Sequence, residues 1–339
     1  MLRVVGAAVA ALCATWWLAT QAAAFEGALP FVLISYVLFL GFFVVLISFD
    51  DNRITIVDRV WAVVIHSAAV VLLLALAVVV VFTLVRGSSA FLRANFWVQD
   101  LSLAGPLDPL TVGGMAHAAV GTLIMIGIAL VIAIPLGLLC AVFLSEFPSP
   151  FANIVRTVTE AMTALPSIVC GLFIYATYVL MFGLDKSGFA AALAITIMIL
   201  PIITAVSREV FKQTPHLHQE AALALGATRW EVVRMAVLPF GRSGVVSAAM
   251  LGLGRALGET MAVLMVLSTS SGTGYSFQIF DSGVLQTIAA NIAAKFPDSS
   301  GLAVNTLIAT GLALFVITMA VNMLARWIVS RRNEFSGAN

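Results

Sequence analysis

Long stretches of this sequence contain no Asp, Glu, Lys or Arg. A helix needs about 20 residues to cross the hydrocarbon core of a bilayer. Only 10% of the 339 residues are charged and 62% are hydrophobic, whereas about a quarter of a soluble domain is charged. The sequence therefore predicts an all-α polytopic membrane protein. Its eight expected spans are 4–25, 27–49, 60–85, about 118–144, 161–184, 187–207, about 243–268 and about 303–325.

The Lys and Arg residues between these spans predict the orientation, because cytoplasmic loops carry an excess of both. If both termini are cytoplasmic, twelve of them lie inside, four lie outside, and Arg255 lies within the membrane. The inner residues are Arg3, Arg53, Arg59, Arg156, Arg208, Lys212, Arg229, Arg234, Arg242, Arg326, Arg331 and Arg332, and the outer ones are Arg86, Arg93, Lys186 and Lys295. The first span also has the pattern of a signal peptide, with small residues before Phe25; its length favours an uncleaved helix.

Several classes of chemistry have no support in the sequence. The net charge of +1 gives no reason to expect nucleic acid as a partner. The nucleotide-binding pattern G-x-x-x-x-G-K-[ST] is missing. Cys13, Cys140 and Cys170 lack the paired spacing of metal or disulfide sites. The chain is expected to hold no metal or cofactor and to have no enzymatic activity of its own.

The largest inner connection, 208–242, predicts a helical hairpin on the cytoplasmic surface. A run of strong helix formers ends at Gly226, which suits a helix stop. Thr228 and Glu231 have the spacing of a capping box for a second helix, which Pro239 is expected to end. The second helix carries an apolar stripe formed by Trp230, Val233, Val237 and Leu238. Such a face either lies on the membrane surface or docks into a groove of another protein.

The seventh expected span contains two charges, Arg255 and Glu259. Residues four apart on a helix share a face, so the two are predicted to pair. Two unpaired charges at mid-membrane would cost about 5–7 kcal/mol. Either the pair fixes helix packing, or Arg255 binds an anion in a watery path while Glu259 orients it and partly neutralises it. Gly254 and Gly258 form a G-x-x-x-G motif that predicts close packing against another helix.

Three hydroxyl residues are further candidates for the path of a substrate. Ser167 and Thr204 lie within expected spans, and Thr260 follows Glu259 directly. Their hydroxyl groups could contact a passing anion. Bonding to the backbone of their own helices is the alternative for Ser167 and Thr204.

The inner hairpin resembles a signature of ABC importer permeases known as the EAA loop. Glu220-Ala221-Ala222, Gly226 and Leu238-Pro239 match it in residue type and spacing, while Ala236 replaces a branched aliphatic residue. In that family the loop couples the permease to a cytoplasmic ATPase. The resemblance implies this role for the hairpin here.

Together with the hairpin, the string MLGLGRALGETMAV is similar to the permeases of the bacterial phosphate ABC importer, the Pst system. The strings RALGETM and PIITAVSREVF resemble its PstC branch, whereas GGMAHAAVGTL resembles the PstA branch. The resemblance covers about residues 55–339. Residues 1–54 lie outside it and are expected to form two additional N-terminal transmembrane helices.

The resemblance implies a six-helix permease core of the type I importer fold in a bacterial cell membrane. Its implied partners are a PstA-like sister permease, a dimer of PstB-like ATPase subunits that bind ATP and Mg²⁺, and an extracytoplasmic PstS-like phosphate-binding protein. Arg255 and Glu259 match charged residues on which phosphate passage is thought to depend in the family. A permease for another oxyanion, such as sulfate or phosphonate, stays an alternative. A second alternative is an ion-coupled secondary transporter with Glu259 as proton carrier.

Overall fold

The computed structural model describes residues 2–22, 27–49, 51–100, 108–267, 278–280 and 285–333. The chain divides into two compact units, Met1–Val81 and Phe82–Asn339. The small-residue segment before Phe25 lies almost entirely outside the described residues. The predicted domain boundary after residue 54 rests on the extent of a resemblance and stays a prediction.

Three helices carry the first unit. The first packs against the second, and a cluster around Phe43 and Ile47 joins them to the beginning of the third. Tyr36 and Ser67 share a hydrogen bond of 2.5 Å between their hydroxyl oxygens. The third helix has 39 residues, about 58 Å at 1.5 Å per residue, and it continues into the second unit. These helices are α1 (Leu2–Trp17), α2 (Ala28–Ser48) and α3 (Arg53–Phe91).

The second unit contains the remaining helices and is built around one of them, α8 (Gly188–Lys212). The others are α4 (Ala94–Val98), α5 (Ala116–Glu146), α6 (Pro150–Thr163), α7 (Ser167–Ile174), α9 (His216–Ala224), α10 (Arg229–Val232), α11 (Leu238–Leu257), α12 (Met261–Val266), α13 (Ile288–Lys295) and α14 (Leu302–Asn333). π-helical turns follow α1, α7 and α10 at Leu18–Ala22, Tyr175–Met181 and Val233–Val237.

Small residues bring α5, α8 and α11 close together. Ile203 of α8 lies between Gly137 of α5 and Gly252 of α11. A Cβ atom at Gly137 would lie 3.0 Å from Cγ2 of Ile203, and one at Gly252 would lie 3.2 Å from its Cγ1. This packing fixes α11, which carries Arg255, against the centre of the unit.

Seven helices among the described residues are long and apolar enough to cross a membrane, or eight if the bent pair α6–α7 counts as one span. The expected fifth span, 161–184, is not one straight helix, because the chain bends by 108° between α6 and α7. Pro166 explains the bend, because proline lacks a backbone N–H and disfavours a helical conformation in the residue before it. The bend turns α7 towards α12, which it contacts closely.

Candidate functional site: a broken helix and a helical hairpin

The expected seventh span is interrupted at the charged motif. Helix α11 ends at Leu257, and α12 begins at Met261. Gly258 lies at the end of α11 with φ −92° and ψ 2°, and Glu259 follows it outside either helix. Glycine weakens a helix by about 1 kcal/mol relative to alanine, so this position favours a break. The prediction of one continuous helix through 243–268 is wrong.

The break separates the two charges that the sequence predicts to pair. Both residues are described by the structure, and no ion pair within 4.0 Å joins Arg255 to Glu259. Arg255 is exposed on the last turn of α11. Glu259 is only 9% exposed, and its Oε1 accepts a hydrogen bond of 3.0 Å from the backbone N–H of Ala262. The carboxylate therefore caps α12 and does not pair with the guanidinium.

The break in α11–α12 meets the bend in α6–α7. A Cβ atom at Gly171 of α7 would lie 2.6 Å from the carbonyl oxygen of Ala262, so the two backbones are in direct contact. The thiol of Cys170 is buried and lies close enough to Arg255 and Glu259 to interact electrostatically with each. Two interrupted helices thus form one site. Interrupted helices often carry the substrate sites of transporters.

The three hydroxyl candidates have different surroundings. Thr260 lies in the break, where its Oγ1 donates to the carbonyl of Gly258 at 3.2 Å. Ser167 is the half-buried first residue of α7. Thr204 is fully buried and donates to the carbonyl of Leu200 at 2.9 Å, which is the backbone bonding considered as its alternative.

The glycines near the break differ in packing. A Cβ atom at Gly254 would have no neighbour within 4 Å, and one at Gly258 would meet only the Arg255 carbonyl of its own helix at 4.0 Å. Gly252 is the glycine that packs tightly, against α8. Within the described part of the chain, Gly254 and Gly258 contact no second helix, so the predicted packing motif is open on this surface.

The helical hairpin forms at its turn as the sequence predicts. Helix α9 ends before Gly226, whose φ of +83° is a conformation that glycine adopts most readily. The capping box is present: Thr228 Oγ1 accepts from the N–H of Glu231 at 3.4 Å, and the Glu231 carboxylate accepts from the N–H of Thr228 at 2.7 Å. Glu220 and Ala221 are exposed on α9, and Ala222 is half-buried.

Pro239 does not end the second helix, contrary to the prediction. Arg229–Leu257 is one continuous helical rod. Pro239 falls in the first turn of α11, directly after the π-helical turn Val233–Val237 and next to Leu238. A proline removes one hydrogen bond and crowds the carbonyl four residues earlier. The wider π turn relieves both problems, because its hydrogen bonds reach five residues back.

Part of the apolar stripe of the hairpin packs against other helices of this chain. Val233 and Val237 are buried against Phe211 of α8 and the end of α5, so this part of the stripe packs within the chain and faces neither a membrane nor another protein. Trp230 stays 54% exposed. The hairpin also forms a groove of about 680 Å³. The groove is lined by His218, Ala221, Ala222, Leu225, Gly226, Ala227, Glu231, Met235, Ala236 and Phe240.

Sequence reasoning missed a charged cluster towards the C-terminal end of α6. Glu160 Oε1 accepts from Arg156 Nε at 2.8 Å and lies 3.6 Å from Nη1 of Arg208. The spacing of Arg156 and Glu160, four residues apart, was the available signal. This cluster joins α6 to the end of α8.

A buried polar cluster near the beginning of α5 was also missed. His117 and Asn291 are buried in contact with each other. Thr122 Oγ1 accepts from the N–H of Ile288 at 2.9 Å, which ties α5 to α13. Burial lowers the pKa of Lys295 at the end of α13, and nearby Asp100 acts in the opposite direction. Among the described residues no group of three or more His, Cys, Asp or Glu could hold a metal ion.

The chain is similar to known transport proteins over most of its length. Residues 133–334 match the family described as binding-protein-dependent transport system inner membrane component. Phosphate transport system permease protein PstC 2 of Mycobacterium tuberculosis is 38% identical over 301 residues, covering 80% of this chain and 91% of that protein. PstA 1 of the same organism is 30% identical over 272 residues, covering 79% and 87%.

The fold is similar to that of solved ABC importers. The structure of a bacterial alginate ABC transporter, in complex with an alginate pentasaccharide-bound periplasmic protein, covers 83% of this chain and 98% of its own. Its TM-score is 0.57 at 14% identity. The family match at 133–334 includes both the hairpin and the broken helix.

Proposed function

The chain belongs to the binding-protein-dependent transport system inner membrane components, and we propose that it forms part of the path by which an ATP-driven importer carries inorganic phosphate. It is a multi-pass permease subunit of an ABC transporter, PstC-like within its family, and not itself an enzyme. The observation that carries the assignment of phosphate is the 38% identity to PstC 2 over 301 residues. An alternative cargo of the same shape and charge is another oxyanion, such as sulfate or phosphonate.

The remaining subunits follow from this assignment. A PstA-like sister permease completes the path, two PstB-like ATPase subunits bind ATP and Mg²⁺, and a PstS-like binding protein delivers phosphate from outside. The relatives named PstC and PstA support a pair of permeases, and the alginate transporter crystallised with a periplasmic protein. Both termini lie in the cytoplasm of a bacterial cell, and residues 1–54 add two helices to the permease domain at 55–339.

Arg255 is the residue we assign to phosphate. Its guanidinium is exposed, and no carboxylate among the described residues forms an ion pair with it. Arginine offers a planar fork of donors that fits tetrahedral oxyanions. An exposed cation in an otherwise apolar span is costly unless it faces water or a partner. Thr260 and the half-buried Ser167 lie on the two elements that meet at this site and are assigned to the same path; Thr204 contributes only if its bond to Leu200 opens.

The cytoplasmic hairpin is the part we assign to the ATPase. Glu220 and Ala221 are exposed on α9, the turn at Gly226 has a positive φ, and the ring of Trp230 is 54% exposed. Leu238 and Pro239 begin the helix that carries Arg255. A movement of the hairpin is therefore passed directly to the phosphate site.

The substrate is tested with the whole complex in proteoliposomes loaded with ATP. We expect ³²P-phosphate uptake that requires the binding protein and ATP hydrolysis, and an excess of sulfate or methylphosphonate should not reduce it. If the vesicles take up ³⁵S-sulfate and no phosphate, the assigned cargo changes from phosphate to sulfate. Uptake that follows a proton gradient without ATP would instead support the ion-coupled transporter.

The hairpin assignment is tested by uncoupling. Glu220→Lys and Gly226→Asp should leave ATP hydrolysis but lower phosphate uptake per ATP by at least about tenfold. Glu209→Lys, on the exposed end of α8, and Gly183→Asp, at another glycine with positive φ (+68°), are matched controls for charge and for backbone strain. Unchanged coupling in the first two variants would remove the docking role from the hairpin.

A further inference from the structure

We propose that Glu259 is a positioning residue: its side chain caps α12 as a hydrogen-bond acceptor and so maintains the break that presents Arg255. In this arrangement Glu259 is not the counter-ion of Arg255. The inference rests on the proposed function of Arg255 as the phosphate contact, and it explains why a glutamate follows that arginine at a spacing that forms no ion pair here.

The Glu259 side chain caps the first turn of α12. Helix α12 begins after Thr260, whose side chain makes no capping bond to it. Ala262 is fully buried, so water does not reach its N–H group. Glu259 Oε1 accepts from that N–H at 3.0 Å. A buried N–H without an acceptor is costly, and Glu259 supplies the acceptor that Thr260 does not.

The cap holds the first turn of α12 at its contact with α7. Ala262, the capped residue, is in backbone contact with Gly171 of α7. Cys170 is 3% exposed at the same contact. If the first turn of α12 frayed, the contact between α7 and α12 would loosen, and the segment from Gly258 to Thr260 would no longer be held. That segment begins three residues after Arg255, where α11 ends, so we expect its loosening to let the last turn of α11 and the Arg255 side chain move.

The positions of the two side chains show that Glu259 does not neutralise the charge of Arg255. A counter-ion would approach the guanidinium, yet no ion pair joins Glu259 to Arg255 in the described structure, and Glu259 is buried while Arg255 is exposed. A hydrogen bond from a backbone N–H needs an acceptor oxygen. The glutamine amide provides one at the same distance from the backbone. The role of Glu259 should therefore survive replacement by glutamine.

The experiment compares Glu259→Gln with Glu259→Leu in the assembled complex, with Glu209→Leu as the control for removing a carboxylate from the second unit. We expect the glutamine variant to keep phosphate uptake within about twofold of the wild type. The leucine variant should lose at least about tenfold, and its remaining activity should show a raised KM for phosphate because Arg255 is misplaced. Glu209→Leu should behave as the wild type.

A second measurement tests the packing of α12 against α7 and does not depend on transport. In a Cys13→Ser, Cys140→Ser background, Cys170 is the one thiol left in the sequence. A membrane-permeant maleimide should label it slowly in the wild type and in Glu259→Gln, and at least about tenfold faster in Glu259→Leu. This measurement requires membranes containing the complex but no uptake.

The outcomes separate the two hypotheses. If Glu259→Gln loses uptake as completely as Glu259→Leu while Cys170 stays protected in both, the charge matters and the capping role is overturned. Wild-type uptake in the leucine variant would overturn it as well. If the wild-type complex carries no phosphate, the proposed function fails, while the labelling of Cys170 still decides whether Glu259 caps α12.

Discussion

Two pairs of residues in this chain have the same sequence pattern and different structures. Arg156 and Glu160 are four apart within α6, and their side chains meet at 2.8 Å. Arg255 and Glu259 are also four apart and in the same order, but α11 ends at Leu257 between them, and they form no ion pair in the described structure. Spacing of four residues predicts a pair only along an unbroken helix.

The two pairs also differ in how far their carboxylates are exposed. Arg156 and Glu160 are each about half exposed, where an ion pair contributes roughly 0–1 kcal/mol. Glu259 is buried and bonded to the backbone, which leaves the guanidinium of Arg255 available. The helix break thus converts a pattern that would neutralise an arginine into one that exposes it.

The largest effect that we expect distinguishes the two arginines. Arg255→Gln should lower phosphate uptake by at least about a hundredfold, since it removes two charge-assisted hydrogen bonds of about 1.5–3 kcal/mol each. Arg156→Gln should change uptake by less than about twofold. Uptake by proteoliposomes, with subunit assembly checked by co-purification, measures both. Normal transport by an assembled Arg255→Gln complex would exclude Arg255 as the anion contact.

The next effect tests the contact between the two interrupted helices. Gly171→Ala places a Cβ atom 2.6 Å from the Ala262 carbonyl oxygen, and overpacking of this kind costs about 1–3 kcal/mol. We expect a lower thermal midpoint and weaker uptake. Gly127→Ala, on α5 with no atom within 4 Å of the new Cβ, is the matched control and should be neutral or slightly stabilising. Equal midpoints for the two variants would contradict the close contact.

A smaller effect should follow from repairing the break. Gly258→Ala meets no steric obstacle and favours helix by about 1 kcal/mol, so it should draw Glu259 towards Arg255 and lower uptake several-fold. Gly41→Ala in α2, also open, controls for the added methyl group. Increased uptake in Gly258→Ala would show that the break does not serve transport.

The smallest effect belongs to the exposed pair. Glu160→Gln removes the negative charge shared by Arg156 and Arg208, and we expect less than about 1 kcal/mol of lost stability, with uptake nearly unchanged. The loss should shrink further in high salt, because exposed charges are screened. A large, salt-independent loss would place this cluster in the same class as the buried site.

Local signals predicted the hairpin well. The capping box of Thr228 and Glu231 and the positive φ of Gly226 depend on residues within one turn, and both are confirmed. Charge-free stretches likewise predicted most of the membrane helices, because burial in lipid needs only length and apolarity, but they did not reveal the interruptions within 161–184 and 243–268. Pro239 was misread, since the π turn that accommodates it has no sequence signature.

The break at Gly258 could not be predicted from such local signals. Glycine occurs within helices elsewhere in this chain, for example at Gly127 and Gly252. Three features occur together where α11 ends. Gly258 weakens the helix, the Glu259 carboxylate accepts a hydrogen bond from the N–H of Ala262, and α7 packs against Ala262. That combination involves residues about ninety positions apart, which one sequence does not connect.

The π-helical turn Val233–Val237 has a consequence for Arg255, because both belong to one continuous rod. Each residue of an α-helix adds about 100° of rotation and 1.5 Å of advance. If a pull on the hairpin made this turn give up its extra residue, the azimuth of every later side chain would change by about 100°. A linear displacement of the hairpin would then reach the guanidinium as a rotation about the axis of α11.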